Sequence, residues 1–219
     1  MSGARARVMS AIRHSLHRSG PLAESVQLAL DARLAAPRAN LKPAYEEEPV
    51  DRFIAKMRAV STVVTRVSDA TSVSAVVEAH VKRWMLVPDL VVAPDPELED
   101  IAWSNVFTVQ RRAAVGSDHI SVTGAFAGVG ETGSLVLLSS PRSPTTLNFL
   151  PEDHLILVAR SRIVRHAEDV WTRLREEMGD MPRTVNFITG PSKTGDVEQV
   201  IQEGAHGPRR LHVIIRDDR

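Results

Sequence analysis

From Pro49 onward the chain alternates between short apolar runs and amphipathic segments, and this alternation constrains the fold more than any other feature. Val50, Phe53, Ile54 and Met57 share a helical face, Ser61 to Val67 is a β-branched run that reads as a strand, and Thr71 to Trp84 is again helical. In that second helix Val73, Val76, Val77, Val81 and Trp84 lie on one side. Leu90 to Ala93 reads as a short strand, Pro96 to Trp103 as a short helix and Val106 to Val109 as a further strand. His119 to Thr123, Ser134 to Leu138, His154 to Ala159, Thr184 to Thr189 and Leu211 to Ile215 supply the other strands. Ala167 to Met178 is a helix whose Val170, Trp171 and Leu174 face inward. Strands separated by helical segments predict βαβ units around a largely parallel sheet.

Two shorter helices precede this region. Arg5 to Arg18 places Val8, Ile12 and Leu16 at a four-residue spacing among Arg, His and Ser, and Leu22, Val26, Leu30 and Leu34 repeat the spacing until Pro37. Pro37 to Pro49, with three prolines and the acidic triplet Glu46 to Glu48, reads as an extended linker. The expected organisation is a helical arm and linker over residues 1–48 and an α/β domain over 49–219. The arm helix suits packing on a partner subunit better than a grip on nucleic acid.

Composition narrows the function. Lys and Arg number 27, as do Asp and Glu, so no strong net field argues for nucleic acid or an acidic membrane surface. No apolar run reaches the ~18 residues of a membrane span, and the N-terminus lacks the apolar core of a secretory signal, so a cytoplasmic location is expected. Cysteine is absent from the 219 residues. That excludes disulfides, a thiol nucleophile and thiolate ligation of zinc or an iron–sulfur cluster by this chain.

Two stretches carry the candidate chemistry. In Gly128 to Leu157 an acidic residue, Glu131, stands inside a run of Gly and Thr immediately ahead of a strand. Glycine there marks a bulge or a close approach of another backbone or a ligand, and function concentrates on loops held by a rigid scaffold. Glu131 is the candidate catalytic carboxylate, with Thr132 and Gly133 as ligand contacts; the alternative is a glycine-shaped turn with Glu131 solvated. The second stretch, Thr189 to Pro208, leaves a strand through Gly190-Pro191 and enters a helical pattern beginning near Thr194 or Asp196. A hydroxyl-rich loop entering a helix N-terminus is an anion site, since free N–H groups and the helix dipole both favour negative charge. Gly190, Ser192, Lys193, Thr194 and Asp196 are its candidate residues, and His206, between two glycine turns, is a candidate base or polar contact. The alternative is a cap by Ser192 or Thr194 with Lys193 solvated.

Several chemistries lack their signatures. There is no G-x-S-x-G elbow and no Walker A spacing. Gly128, Gly130 and Gly133 have dinucleotide-loop spacing but precede a strand instead of opening a helix. No closely spaced His pair within the domain suggests a metal, and His119, His154 and His212 read as packing residues in strands.

Taken together, GVGETGSLVLLSS, FLPEDHLILVARSRIV and GPSKTGDVEQVIQEGAHGPRRLHVII resemble the lactate-utilisation protein C family, the LUD domain proteins, over roughly residues 50–219. That family reads A-E-T-G-T and G-P-S-x-T-A-D-I-E at the two stretches. Here Gly130, Ser134, Gly195 and Val197 are small departures, while Glu131, Thr132, Gly133, Thr194, Asp196 and Glu198 match. The resemblance implies a three-layer α/β/α sandwich with a mostly parallel sheet, of the sugar-phosphate isomerase, glucosamine-phosphate deaminase and CoA-transferase group. It implies an accessory subunit of a system oxidising L-lactate to pyruvate, beside a cluster-binding and a cysteine-rich subunit that hold the iron–sulfur clusters. A small anionic ligand is expected. The alternative is a free-standing acyl-CoA or sugar-phosphate enzyme in which Glu131 is the nucleophile or base and glycine N–H groups hold the oxyanion.

Overall fold

A computed structural model describes residues 2–18, 20–36, 41–195 and 202–218. The chain divides into two compact units, Met1–Lys42 and Pro43–Arg219. The first contains α1 (Ser2–Ser15) and α2 (Glu24–Ala35).

The second unit opens with α3 (Pro49–Ala59), β1 (Val63–Val67), α4 (Thr71–Trp84), β2 (Asp89–Val92), β3 (Thr108–Arg111) and β4 (Ile120–Gly124). It continues with β5 (Ala127–Val129), β6 (Ser134–Leu138), α5 (Thr146–Phe149), β7 (Asp153–Ala159), β8 (Ile163–Val164) and α6 (Ala167–Glu177). It closes with β9 (Val185–Ile188), the short pair β10 (Lys193–Thr194) and β11 (Gln202–Glu203), and β12 (Arg210–Arg216).

Six strands form a parallel sheet in the order β1-β12-β7-β4-β2-β3. Its central strands are apolar on both faces, as a sheet covered on both sides requires. Leu155 and Leu157 of β7 and Ile214 of β12 meet Val73, Val77 and Val81 of α4 on one face. Ile156 and Val158, with Val213 and Ile215, meet Phe53 and Met57 of α3 on the other.

A second sheet, in the order β8-β5-β6-β9, covers part of that second face. β6 pairs antiparallel with both β5 and β9. Its Leu135 and Leu137 join the layer against the parallel sheet, whereas Val136 packs with Val170 of α6 on the outside. The mixed α/β class and the largely parallel central sheet agree with expectation. The assignment of Ser134 to Leu138 and Thr184 to Thr189 to one common sheet does not, since β6 and β9 belong to the small one. Two local expectations also change. Ala127–Val129 is a strand although Gly128 reads as loop: a Cβ there would lie 3.1 Å from Ile163 Cγ1 and 3.2 Å from Phe53 Cε2, so glycine lets those side chains close over the strand without moving back by a few tenths of an ångström. Pro96 to Trp103 forms one 3-10 turn, Pro96–Leu98, with the Asp95 carboxylate accepting the Glu97 N–H at 3.0 Å.

Two strand histidines are buried in the neutral form. His154 on β7, whose Nε2 meets Thr123 Oγ1 at 2.8 Å, is pushed down by burial to about 3. His212 on β12 is pushed to about 4, by burial first and then by His80 and Arg83. Both lie below the ordinary histidine value of about 6.5, so between those limits the unfolded chain binds protons that the folded chain does not. Stability is therefore expected to be complete above pH 6.5 and to fall toward pH 4, by about 1.4 kcal/mol per pH unit for each histidine. Denaturant titrations at pH 7, 6 and 5 test this, and a flat profile would contradict it.

Candidate functional site

The β5–β6 turn, the segment after β8 and the end of β9 lie at one end of the small sheet, because β5 and β8 run parallel and β6 runs against β5 and β9. Glu131 sits in the turn. Its Oε2 is 3.0 Å from His166 Nδ1, with the Glu131 side chain 22% and the His166 side chain 9% exposed. His166 is the N-cap residue of α6, and its own N–H donates to Asp169 Oδ2 at 2.9 Å, which holds the residue where it meets the turn. Oε1 of Glu131 makes no hydrogen bond among the described residues.

A stacked assembly buttresses this pair. The Tyr45 ring lies between the guanidinium groups of Arg52 and Arg165, at 4.3 and 4.5 Å from the ring centre. Its hydroxyl donates to Arg165 O at 2.7 Å, and an Arg165 Nη1 returns a bond to Tyr45 O at 2.8 Å. His166 meets the same ring edge-on at 5.6 Å. Burial, only partly offset by Arg165 and Arg52, raises the Tyr45 phenol above its usual value and keeps it a neutral donor. Gly130 is needed here, since a Cβ would fall 2.6 Å from Pro49 O and 3.0 Å from the Tyr45 hydroxyl.

Glu131 and the Thr189 loop approach each other through hydroxyls. Thr132 Oγ1 lies 2.7 Å from Ser134 Oγ, and Ser134 Oγ lies 2.7 Å from Thr189 Oγ1. The meeting point is the end of the small mixed sheet, not the C-terminal edge of the parallel one.

The rest of the second loop differs from expectation. Gly190 adopts φ 118°, with Val60 packed where its Cβ would be. Lys193 and Thr194 form β10, paired with Gln202 and Glu203 of β11, so no helix begins at Thr194. Lys193 Nζ is 3.5 Å from both Ser61 Oγ and Glu203 Oε1, and that carboxylate already answers its charge. Ser192 Oγ accepts the His206 N–H at 3.3 Å, and Ser192 N–H donates to Pro208 O, so these two residues brace the loop. Thr194 pairs with Gln202 across this short ladder. Asp196 lies outside the described residues.

The oxyanion hole anticipated from glycine N–H groups does not form. Gly130 N–H donates to Val164 O, Glu131 N–H to Arg165 O and Gly133 N–H to Val129 O. Sequence reading missed Tyr45, Arg52, Arg165 and His166. Tyr45 is the chain's single tyrosine, standing in a Pro- and Glu-rich stretch that reads as linker, and that singularity was the available signal. Among the described residues no three His, Asp or Glu side chains converge as metal ligands, and no helix is long and apolar enough to cross a membrane.

This fold and this glycine-turn site define a LUD domain: the family model matches residues 55–215, and the chain belongs to the LUD domain family. It is 34% identical over 108 residues to lactate utilization protein C of Anoxybacillus flavithermus, covering 49% of this chain and 46% of the relative. It is 31% identical over 104 residues to the protein of that name in a Geobacillus species, covering 46% and 43%. The matched stretch thus spans about half the length of those relatives. The crystal structure of a DUF162 family protein from Deinococcus radiodurans shares the fold, with TM-score 0.58 and 19% identity over 80% of this chain and 99% of that one.

Proposed function

We propose that this chain is the cluster-free accessory subunit of a cytoplasmic iron–sulfur system that oxidises L-lactate to pyruvate. The observation that carries the reading is the absence of cysteine from a LUD domain chain whose relatives include proteins named for lactate utilisation. Electrons in such a system pass through clusters held by thiolates, so a cluster-binding and a cysteine-rich partner would hold them. This chain then contributes surface and binding. Glu131, backed by His166 and offering Oε1, is the group we place at the contact with a partner or ligand.

Two features weigh against the free-standing acyl-transfer alternative. The glycine N–H groups that would stabilise an oxyanion are taken by backbone carbonyls, and Glu131 Oε2 is engaged by His166.

The test is purification of the tagged chain from its own host grown on L-lactate, with mass spectrometry and iron analysis of the eluate. Iron-containing, cysteine-rich partners are expected at near-stoichiometric amounts. Recovery of an iron-free protein without such partners would overturn the proposal.

A further inference from the structure

A second polar assembly lies on the opposite face of the parallel sheet, under α4. Val76, Ala79, His80 and Arg83 fall on one side of α4 at the i, i+3, i+4, i+7 spacing of a helical face. With Val63 and Thr65 of β1 and His212 of β12 they line a cavity of about 220 Å³, below the roughly 300–1,000 Å³ of sites for drug-sized molecules. One wall is apolar, from Val63, Val76 and Ala79. The other carries Arg83, His80, His212 and the Thr65 hydroxyl. No acidic residue lines it, and among the described residues no carboxylate pairs with Arg83, whose guanidinium rests 5.4 Å from the Trp84 ring centre.

From this wall a hydrogen-bonded chain runs into the core. Thr65 Oγ1 lies 3.0 Å from His212 Nε2, His212 Nδ1 lies 3.2 Å from His80 Nδ1, and His80 Nε2 lies 2.9 Å from Asp153 Oδ1. Asp153 is fully buried and held by Arg210. Two Nδ1 atoms facing each other bond only if one carries a hydrogen and the other does not, which leaves a neutral arrangement and a singly protonated one whose charge rests on His212 or, relayed, on His80. In the first both rings are neutral: the Thr65 hydroxyl donates to His212 Nε2, His212 Nδ1–H to His80 Nδ1, and His80 Nε2–H to Asp153. In the second a proton has been added at His212 Nε2, the Nδ1 proton of His212 has crossed to His80, and an imidazolium His80 lies against the Asp153 carboxylate. His212 Nε2–H then donates to Thr65. The two differ by one proton, taken from solvent at the cavity and accommodated beside a buried anion, and every polar atom of the chain stays bonded in both.

We propose that this cavity binds a small monocarboxylate with a short apolar body, that Arg83 meets its carboxylate, and that binding draws one proton into the His212–His80–Asp153 chain. The apolar wall and the volume select the short body, and the unpaired guanidinium selects the anion. The charged and titratable groups facing His212 are His80 and Arg83 from α4 and, behind His80, Asp153 of β7 with its Arg210. The Arg83 cation is one of the influences that keep His212 neutral. A bound anion opposes that influence, so anion and proton assist each other by linkage.

The test is isothermal titration of the full chain with L-lactate, pyruvate, acetate and inorganic phosphate, at pH 6.0 and 7.5, each in two buffers of different ionisation enthalpy. Carboxylate binding should tighten at pH 6.0, by up to tenfold per pH unit, with uptake of up to one proton read from the buffer dependence. Arg83→Gln, at an exposed position, should weaken it at least tenfold, while Arg142→Gln, an exposed arginine outside the cavity, should leave it unchanged. Thr65→Val should lower the proton count more than the affinity. The proposal is overturned by absence of carboxylate heat at millimolar concentration, by binding without proton uptake, by an unaffected Arg83→Gln, or by phosphate binding alone. The site does not depend on the partner assignment above, since a chain that captures no iron protein can still pass or fail this titration.

Discussion

Asp153→Ala is expected to be the most destabilising single change considered, at about 3–5 kcal/mol, because it removes the anion from a buried pair and leaves its cation behind. Asp153 is 0% exposed at the start of β7. Arg210 grips it through two nitrogens, Nε at 2.6 Å from Oδ1 and Nη2 on Oδ2, and His80 Nε2 adds a third bond at 2.9 Å. Burial pushes the Asp153 carboxyl upward, but Arg210 and His80 outweigh it and hold the group below its ordinary value. A carboxylate depressed in the folded state contributes stability above its unfolded pKa near 3.9 and loses it as pH falls through the folded value. Its acid window therefore opens near pH 4, where that of His212 ends and that of His154 still runs on to about pH 3. At about 2–4 °C per kcal/mol for a chain of this size, the melting temperature should drop by roughly 6–20 °C at pH 7. Asp153→Asn, which keeps an acceptor for Arg210, should cost less than Asp153→Ala. A loss under about 1 kcal/mol for the alanine variant would show that the pair is not the structural anchor described here.

Gly133→Ala should come second, at roughly 2–5 kcal/mol, from two additive causes. Gly133 has φ 70°, a left-handed conformation that costs a residue with a Cβ about 1–2 kcal/mol. The added Cβ would also lie 2.4 Å from Lys56 Cβ and 3.3 Å from the backbone of Lys56 and Met57, so α3 itself must shift. Overpacking of this kind costs about 1–3 kcal/mol. Gly116→Ala is the matched control, because nothing lies within 4 Å of its Cβ position and its φ is not in the left-handed range. Equal unfolding free energies for the two variants would refute the close approach of α3 to the turn.

Local chemistry made some parts of this structure legible and long-range contact hid others. Thr71–Trp84 and Ser134–Leu138 emerge with the bounds expected from their apolar spacing. Glu131 stands out as the single charge within a run of Gly and Thr ahead of a strand, although a solvated residue on a glycine-shaped turn reads the same way. Its partner His166 does not, since a histidine ahead of a helix reads as a cap, and the contact spans 35 residues. Tyr45 is more distant still: its anchoring Arg165 lies 120 residues on, and nothing in a proline- and glutamate-rich stretch announces that meeting. Division of the strands between two sheets was equally invisible. SLVLL of β6 and the apolar run of β7 look alike, and only tertiary pairing separates them.

β6 has one consequence for how the chain is made. With apolar residues on both faces and partners on both edges, it is complete only when β9 arrives, and Val185 lies 47 residues beyond Leu138. The hairpin with β5 can close as soon as Leu138 has emerged, but the other edge then presents unpaired backbone on an uncharged segment, the kind of template on which other chains pair. Ser139-Ser140-Pro141 directly after it supplies polarity and a residue that cannot extend a ladder. The interval between synthesis of β6 and of β9 is thus a period in which this edge is open to aggregation, and slower elongation through residues 139–184 would lengthen it.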